Sequence, residues 1–150
     1  LRLIFLAMLA GMMLFLGVTL FLLYSEEGSL NYSHDGSSNS ALQLILPAFF
    51  LFASFAGGLI LYKNRLEGSK RKQASLSEKV IAYRNANILR WALMEGAILL
   101  CIVLALVGFG KLLLLLAALG LGFFLMFRPD LKTFAREFNL SEEEVRDLNH

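Results

Sequence analysis

The sequence predicts an all-α integral membrane protein: a bundle of four transmembrane helices followed by a short amphipathic helical tail. Hydrophobic residues make up 57% of the 150 residues and charged residues 17%, whereas soluble domains carry about 45–50% apolar and about 25% charged residues. The apolar residues are gathered into four long blocks instead of following a helical or strand period. Basic residues are concentrated in the segments after the second and fourth blocks.

The first block, residues 3–24, contains no charged residue. About 20 helical residues cross a hydrocarbon core of about 30 Å, so this block is long enough to be a span. A cleaved signal peptide is the competing interpretation, but its apolar region has about 7–15 residues and ends at small side chains, unlike Leu22-Leu23-Tyr24. We therefore expect an uncleaved span, followed by an aqueous loop at Ser25–Ser40 that carries acidic residues and no basic one.

The other three blocks have features that fix their ends. Pro47 lies in the first turns of the second block, where a missing backbone donor costs least. Glu95 is the one carboxylate in the third block, and Gly108–Lys111 predicts a tight turn before the fourth, which stops at Arg128-Pro129. We place these spans at residues 41–62, 88–107 and 112–127.

The distribution of basic residues predicts the orientation. The linker, residues 63–87, carries seven Lys or Arg residues and residues 128–150 add four, whereas the opposite side has only Lys111. Because basic loops stay in the cytoplasm, we expect the linker and both termini on the cytoplasmic side of a bacterial inner membrane. The transmembrane domain is thus predicted to span residues 1–128.

The linker is expected to be partly helical. Leu76, Val80 and Tyr83 recur at helical spacing after Ser75, so the third helix should begin well before the membrane. The basic run Lys70, Arg71 and Lys72 is a candidate contact for anionic lipid headgroups. A topology signal on a solvated loop is the alternative interpretation of this run.

The cytoplasmic tail, residues 129–150, is predicted to contain one or two short amphipathic helices. Pro129 suits a first helical position, and Ser141 with Glu144 forms a capping box for a second helix. We expect the tail to pack as a terminal cap, with partner binding as the alternative. The apolar face of its first helix comprises Leu131, Phe134, Ala135 and Phe138.

The sequence contains no motif for catalysis, cofactors or metals. Cys101 lies inside an apolar block and is expected to be a packing residue, while His34 and His150 are isolated from other ligands. Phosphate-binding, dinucleotide-binding and hydrolase motifs are missing. We therefore expect no enzyme activity, no cofactor, no metal site and no nucleic-acid partner.

Glu95 is the residue that most needs a physical explanation. It lies about 10 Å inside its span, where polar side chains usually face the bundle interior or water. It can exchange a proton or bind a cation, or it can form a hydrogen bond that joins helices. At about 100° per residue, Arg84, Asn87 and Trp91 share its stripe and are candidate polar neighbours. Arg90 lies off this face and is expected to extend towards the cytoplasmic interface, with Trp91 at headgroup level.

Small residues four positions apart indicate where helices can approach closely. This spacing occurs in the second, third and fourth spans and predicts packing among them. In a chain rich in Ala and Gly the same spacing also arises by chance. The pairs are Ala53 with Gly57, Ser54 with Gly58, Ala92 with Gly96, and Ala118 with Gly122.

The run Ala92–Ala97, continued through Ile102–Leu106, resembles the carboxylate-bearing helix of the rotary ATP synthase c subunit. Those proteolipids are helical hairpins with a glycine-rich first helix, a basic cytoplasmic loop and a Glu that carries a proton or sodium ion. The second and third spans reproduce this order with Gly57-Gly58, the basic linker and Glu95, although the linker is longer and lacks the Arg-Gln/Asn-Pro motif. The resemblance implies that Glu95 is an ion-carrying group.

Three other runs are similar to a group of uncharacterised bacterial four-span membrane proteins. They are Arg90–Gly96, Arg128-Pro129 and Leu140–Glu143. This likeness implies the topology but no activity.

Two functions from different classes therefore remain open. The first is a non-enzymatic structural or accessory subunit, embedded in the lipid bilayer, that forms a homo-oligomer or joins other membrane subunits. The alternative is a proton- or cation-handling membrane protein in which Glu95 is the exchanging carboxylate. An intramembrane enzyme would need a second polar residue deep in the apolar blocks, and only scattered Ser or Thr residues such as Thr19 and Ser54 are found there.

Overall fold

A computed structural model shows five helices, and it describes residues 1–26, 40–71, 75–108, 110–129 and 131–138. These ranges contain no strand, so the predicted all-helical class is confirmed for them. The loop expected at Ser25–Ser40, the second tail helix from Ser141 and the side chains of Lys70, Arg71 and Lys72 fall largely or wholly outside this description. The helices are α1 Arg2–Glu26, α2 Ser40–Arg71, α3 Leu76–Leu106, α4 Leu112–Met126 and α5 Leu131–Phe138.

Three helices are long and apolar enough to cross a membrane. The segments that meet this criterion are Arg2–Leu23, Ala41–Ser69 and Ser77–Leu106, whereas α4 is a shorter apolar helix of 15 residues. Their outer faces carry many exposed Leu, Ile, Val, Met and Phe side chains. Exposed apolar surface on this scale is typical of a chain surrounded by lipid or by other subunits.

Helices α2 and α3 extend beyond the apolar blocks that predicted them. The early start of α3 agrees with the sequence, since Ser75 is its N-cap and Glu78 lies in its first turn. The Ser75 backbone N–H donates to Glu78 Oε2 at 2.9 Å, and the Ser75 hydroxyl donates to the same oxygen at 3.0 Å. This contact satisfies a backbone donor and places negative charge at the positive end of the helix. Most of the basic linker therefore belongs to the C-terminal end of α2 and the N-terminal end of α3.

The predicted tight turn joins α3 to α4. Gly108 and Gly110 have φ angles of 96° and 126°, in the region that glycine adopts without a steric penalty. At the end of α3, the N–H of Val107 donates to Val103 O at 3.0 Å. Helix α4 then runs back along α3.

Helix α3 is the centre of the bundle and packs against α1, α2 and α4. Helix α1 contributes Phe5, Met12 and Thr19, which are buried at intervals of seven residues, a spacing that favours a shallow left-handed crossing. Cys101 is buried in the core, as expected of a packing residue. The buried core cluster comprises Phe5, Met12, Trp91, Met94, Ile98, Cys101, Ile102, Ala117, Leu121 and Phe124.

Gly120 brings α4 close to both α3 and α2. A Cβ at this position would lie 2.9 Å from Ile98 Cγ1 and 3.5 Å from Leu51 Cδ1. The spacing rule selected Ala118 and Gly122 in this helix instead, and both are exposed in the single chain. Within the described chain, the close-contact glycine of α4 is therefore Gly120, because the contact face is set by where α3 lies.

We predict that Gly120→Ala destabilises the bundle, whereas Gly122→Ala does not. The methyl group at position 120 would overlap the buried Ile98 side chain, and overpacking costs about 1–3 kcal/mol. At Gly122 an added Cβ meets nothing within 4 Å, so helix propensity favours Ala there by about 1 kcal/mol. Thermal unfolding in detergent, followed by circular dichroism, measures both. Equal unfolding temperatures for the two variants would contradict this account of the α3–α4 contact.

Candidate functional site

The polar residues of α3 meet the other helices at one end of the bundle, which we call the basic end. It is formed by the start of α1, the C-terminal part of α2, the first half of α3, the end of α4 and all of α5. Contacts of Phe5 with Trp91 and of Tyr62 with Tyr83 join these elements, with ring centroids 5.3 Å and 6.3 Å apart. The chain therefore folds its first, second and fourth helices onto the same stretch of α3.

Arg90 is buried at the basic end, with 8% of its surface exposed. Its guanidinium carbon lies 4.4 Å from the Tyr62 ring centroid and 4.7 Å from that of Phe127, so it interacts with the π faces of both rings. Its Nη2 donates to Asn87 Oδ1 at 2.7 Å, while its Nε is buried without a partner among the described residues. Two aromatic faces and an amide therefore replace water around the Arg90 guanidinium group, and its extension towards the interface stays a prediction.

Asn87 holds the Arg90 side chain in position. Its Nδ2 donates to the Tyr83 carbonyl oxygen at 2.9 Å, which orients the amide so that Oδ1 faces the guanidinium group. Gly58 of α2 leaves room for the stem of Arg90, since a Cβ there would lie 3.4 Å from Arg90 Cγ. Asn87 and Gly58 were both selected from the sequence, but their partner here is Arg90.

Trp91 is fully buried and caps the end of α4. Its indole N–H donates to the Phe127 carbonyl oxygen at 3.1 Å, and the last carbonyls of a helix have no partner within the helix. Phe5 packs edge-on against Trp91 and stacks on Phe124, with centroids 4.9 Å apart. Trp91 therefore lies inside the bundle with its one donor satisfied, and its level relative to the lipid headgroups stays a prediction.

Helix α5 covers the basic end. Phe134 and Phe138 are buried and lie on the face that the sequence predicted. The Phe134 ring centroid lies 5.0 Å from that of Tyr83 and 5.2 Å from that of Phe138. The Glu137 carboxylate is within electrostatic range of Arg90. With residues of α2 and α3, these rings form a second buried hydrophobic cluster, which comprises Tyr62, Leu66, Tyr83, Ala86, Phe134 and Phe138.

Glu95 lies apart from this cluster. Its side chain is half-buried and makes no hydrogen bond or ion pair with any residue that the structure describes. Of the neighbours proposed from the stripe, Arg84 is exposed, while Asn87 and Trp91 donate to carbonyl groups elsewhere. The structure therefore does not gather these side chains around Glu95.

The surface beside Glu95 is open in the single chain. Ala92 and Gly96 are exposed on the same side of α3, followed by Leu100 and Val103. We call these five residues the open face of α3. Of the other small residues selected from the sequence, Gly57, Ser54 and Ala53 lie on α2, where Gly57 and Ser54 are half-buried and Ala53 is exposed.

The contacts of Arg90 with Tyr62 and Phe127 were not predicted from the sequence. Tyr62 and Phe127 are the last aromatic residues of the second and fourth apolar blocks. Because alternate blocks end on the same side of a membrane, both rings belong at the level where α3 carries Arg90. Aligning the ends of the blocks would have suggested this contact.

Metal binding and known relatives supply no further assignment. Within the described residues, no three His, Cys, Asp or Glu side chains are grouped so that they could hold a metal ion. No protein-family model, curated protein or solved structure matches the chain. Function therefore has to be inferred from the geometry of this chain alone.

We predict that Arg90→Lys destabilises the protein and exposes the only tryptophan, Trp91, more to solvent. An ammonium group cannot lie flat against both the Tyr62 and Phe127 rings. The free energy of unfolding should therefore fall by about 1–2 kcal/mol. The free energy of unfolding and the wavelength of maximum Trp91 fluorescence are measured. Arg84→Lys is the matched control, because Arg84 is exposed on the same helix. A red shift of equal size in the control would count against the buried contact.

Proposed function

We propose that the chain is a non-enzymatic, four-span protein of a bacterial inner membrane that self-associates or joins a larger membrane complex through the open face of α3. Three long apolar helices and the exposed apolar outer faces support its place in a bilayer. Helix α4 has 15 residues and is about 22 Å long. Local thinning of the bilayer and the flanking turns can accommodate a span of that length.

The exposed charges support the orientation. Exposed basic side chains cluster at the basic end, whereas Lys111 lies at the opposite end, in the turn between α3 and α4. Under the positive-inside rule, the basic end and both termini face the cytoplasm. The exposed basic residues at this end are Arg2, Lys63, Arg65, Arg84, Arg128 and Arg136.

The observation that carries the proposal is the carboxyl group of Glu95 on the open face of α3, which has no partner among the described residues. In lipid, such a group is unfavourable unless it finds a polar partner or water. Ala92 and Gly96 beside it are small and exposed, so another helix can approach α3 closely there. A second subunit on this face would remove Glu95 from lipid and supply the missing hydrogen bond.

Proton or cation handling by Glu95 is the second candidate function. The same observation favours it, because no described residue occupies the carboxyl oxygens, which leaves them available to a proton or cation. The resemblance to the ATP synthase c subunit points in the same direction. The two candidates differ in whether ionisation of Glu95 is needed.

Substitutions on the open face test the association. We predict that Gly96→Leu fills the space beside Glu95 and converts the assembly to monomers, whereas Glu95→Gln keeps a donor and an acceptor and leaves it assembled. Interhelical hydrogen bonds in membranes average about 0.6 kcal/mol, so the Gln variant should lose less than about threefold in association. Gly11→Leu on the exposed side of α1, where a Cβ meets nothing within 4 Å, is the control.

Light scattering in detergent and cross-linking in vesicles measure the assembly. A wild-type chain that stays monomeric at all concentrations and lacks a co-purifying membrane subunit would contradict the proposal. Proton or sodium flux into vesicles that disappears in a folded Glu95→Gln variant would instead establish ion handling. A Gln variant that folds, assembles and keeps every flux would exclude that alternative.

A further inference from the structure

A small pocket lies beside the start of α1 and the end of α4, at the basic end. Its volume is about 200 Å³. Two different segments of the chain form it, since they meet where Phe5 stacks on Phe124. It is lined by Arg2, Phe5, Leu6, Arg128 and Pro129.

The inner wall of this pocket is apolar and fixed. Phe5 is only 3% exposed and is held between Trp91 and Phe124. Pro129 is also buried, two residues after Phe127, whose carbonyl oxygen accepts the indole N–H of Trp91. The pocket is therefore preformed by the same aromatic contacts that join α1, α3 and α4.

The rim of the pocket carries two positive charges. Arg2 and Arg128 are exposed, and neither makes a hydrogen bond or ion pair with a residue that the structure describes. The first turn of α1 has no acidic side chain, and its backbone amides add to the positive potential. Because neither guanidinium group has a carboxylate partner among the described residues, the pocket is complementary to an anion.

The outer side of the pocket opens onto apolar surface. Leu6 is 55% exposed and leads along α1 to Ala10, Met13 and Gly17, all of which are exposed. A Cβ added at Gly17 would have nothing within 4 Å, so the space beside this strip of α1 is open. A ligand with an anionic head and a long apolar chain fits both parts.

We propose that this pocket binds the phosphate group of an anionic phospholipid between Arg2 and Arg128, with an acyl chain along the exposed side of α1. Guanidinium groups bind phosphate oxygens in bidentate fashion, which favours Arg over Lys at such a site. The inference rests on the membrane location given under the proposed function. It concerns a face of the bundle other than the open face of α3.

The test uses the full chain in detergent and native mass spectrometry with phosphatidylglycerol or phosphatidylcholine as the added lipid. The wild-type chain should retain one phosphatidylglycerol in preference to phosphatidylcholine. Each basic residue near an anionic lipid contributes roughly a fivefold change in affinity. Arg2→Gln with Arg128→Gln should therefore lower the affinity for phosphatidylglycerol by about thirtyfold.

Two further variants make the result specific. Lys63→Gln with Arg65→Gln removes the same charge from exposed positions at the same end and should leave the affinity unchanged. Arg2→Lys with Arg128→Lys keeps the charge and the orientation signal, and it should show a smaller loss than the Gln pair. The Lys pair also provides the answer if the Gln pair does not fold.

Three outcomes would overturn the inference. An equal loss in the Lys63 and Arg65 control would show general attraction to the basic surface. Unaltered affinity in both the Gln and Lys pairs would show that the arginines bind no lipid. Displacement of phosphatidylglycerol by inorganic phosphate, but not by sodium chloride of equal ionic strength, would identify a soluble anion as the ligand. Failure of the wild-type chain to stay in vesicles after alkaline washing would contradict the membrane location itself.

Discussion

The bundle depends on the two hydrogen bonds and three aromatic contacts that Arg90 and Trp91 make. Trp91 donates to the carbonyl oxygen of Phe127, directly after α4, and packs against Phe5 of α1, while Arg90 lies against the rings of Tyr62 of α2 and Phe127. Two successive residues of α3 therefore fix the positions of α1, α2 and α4. A buried guanidinium group is strongly unfavourable without partners. Its need for them makes this arrangement specific, since sliding α2 or α4 by one turn would remove a ring from its face.

Arg90 and Glu95 lie five residues apart on α3, and the structure treats their charges in opposite ways. Arg90 is enclosed by Tyr62, Phe127 and Asn87 within the chain. Glu95 faces outwards without a described partner. Among the described residues, the Arg90 guanidinium group is therefore enclosed by the chain, with its Nε left unpaired, whereas the Glu95 carboxyl group has no polar partner. Such a difference is expected if a second subunit or water supplies the polar partner of Glu95, as proposed above.

The helical class and the three long apolar helices could be predicted from the sequence, because block length and composition determine them. The early start of α3 was also visible, since Ser75 and Glu78 form a local capping pattern. The packing partners of each helix could not be predicted, because they depend on which face of that helix meets α3. The spacing rule selected exposed Gly122 and missed Gly120, and it assigned Asn87 to Glu95 on one stripe although its amide turns towards Arg90. A single sequence carries the period of a helix but not the rotation of its neighbours.

The packing at the level of Glu95 limits how either proposed function can operate. Met94, Ile98 and Ile102 of α3 are fully buried in the core of the single chain. A proton or cation path through the centre of the chain would have to displace these side chains, and close-packed cores resist such displacement. An ion reaching Glu95 would therefore travel along the open face of α3, where lipid must be replaced by another subunit or by water. A subunit on the open face of α3, as proposed for the structural function, would also keep lipid away from Glu95, so the proposed association through α3 would serve both functions.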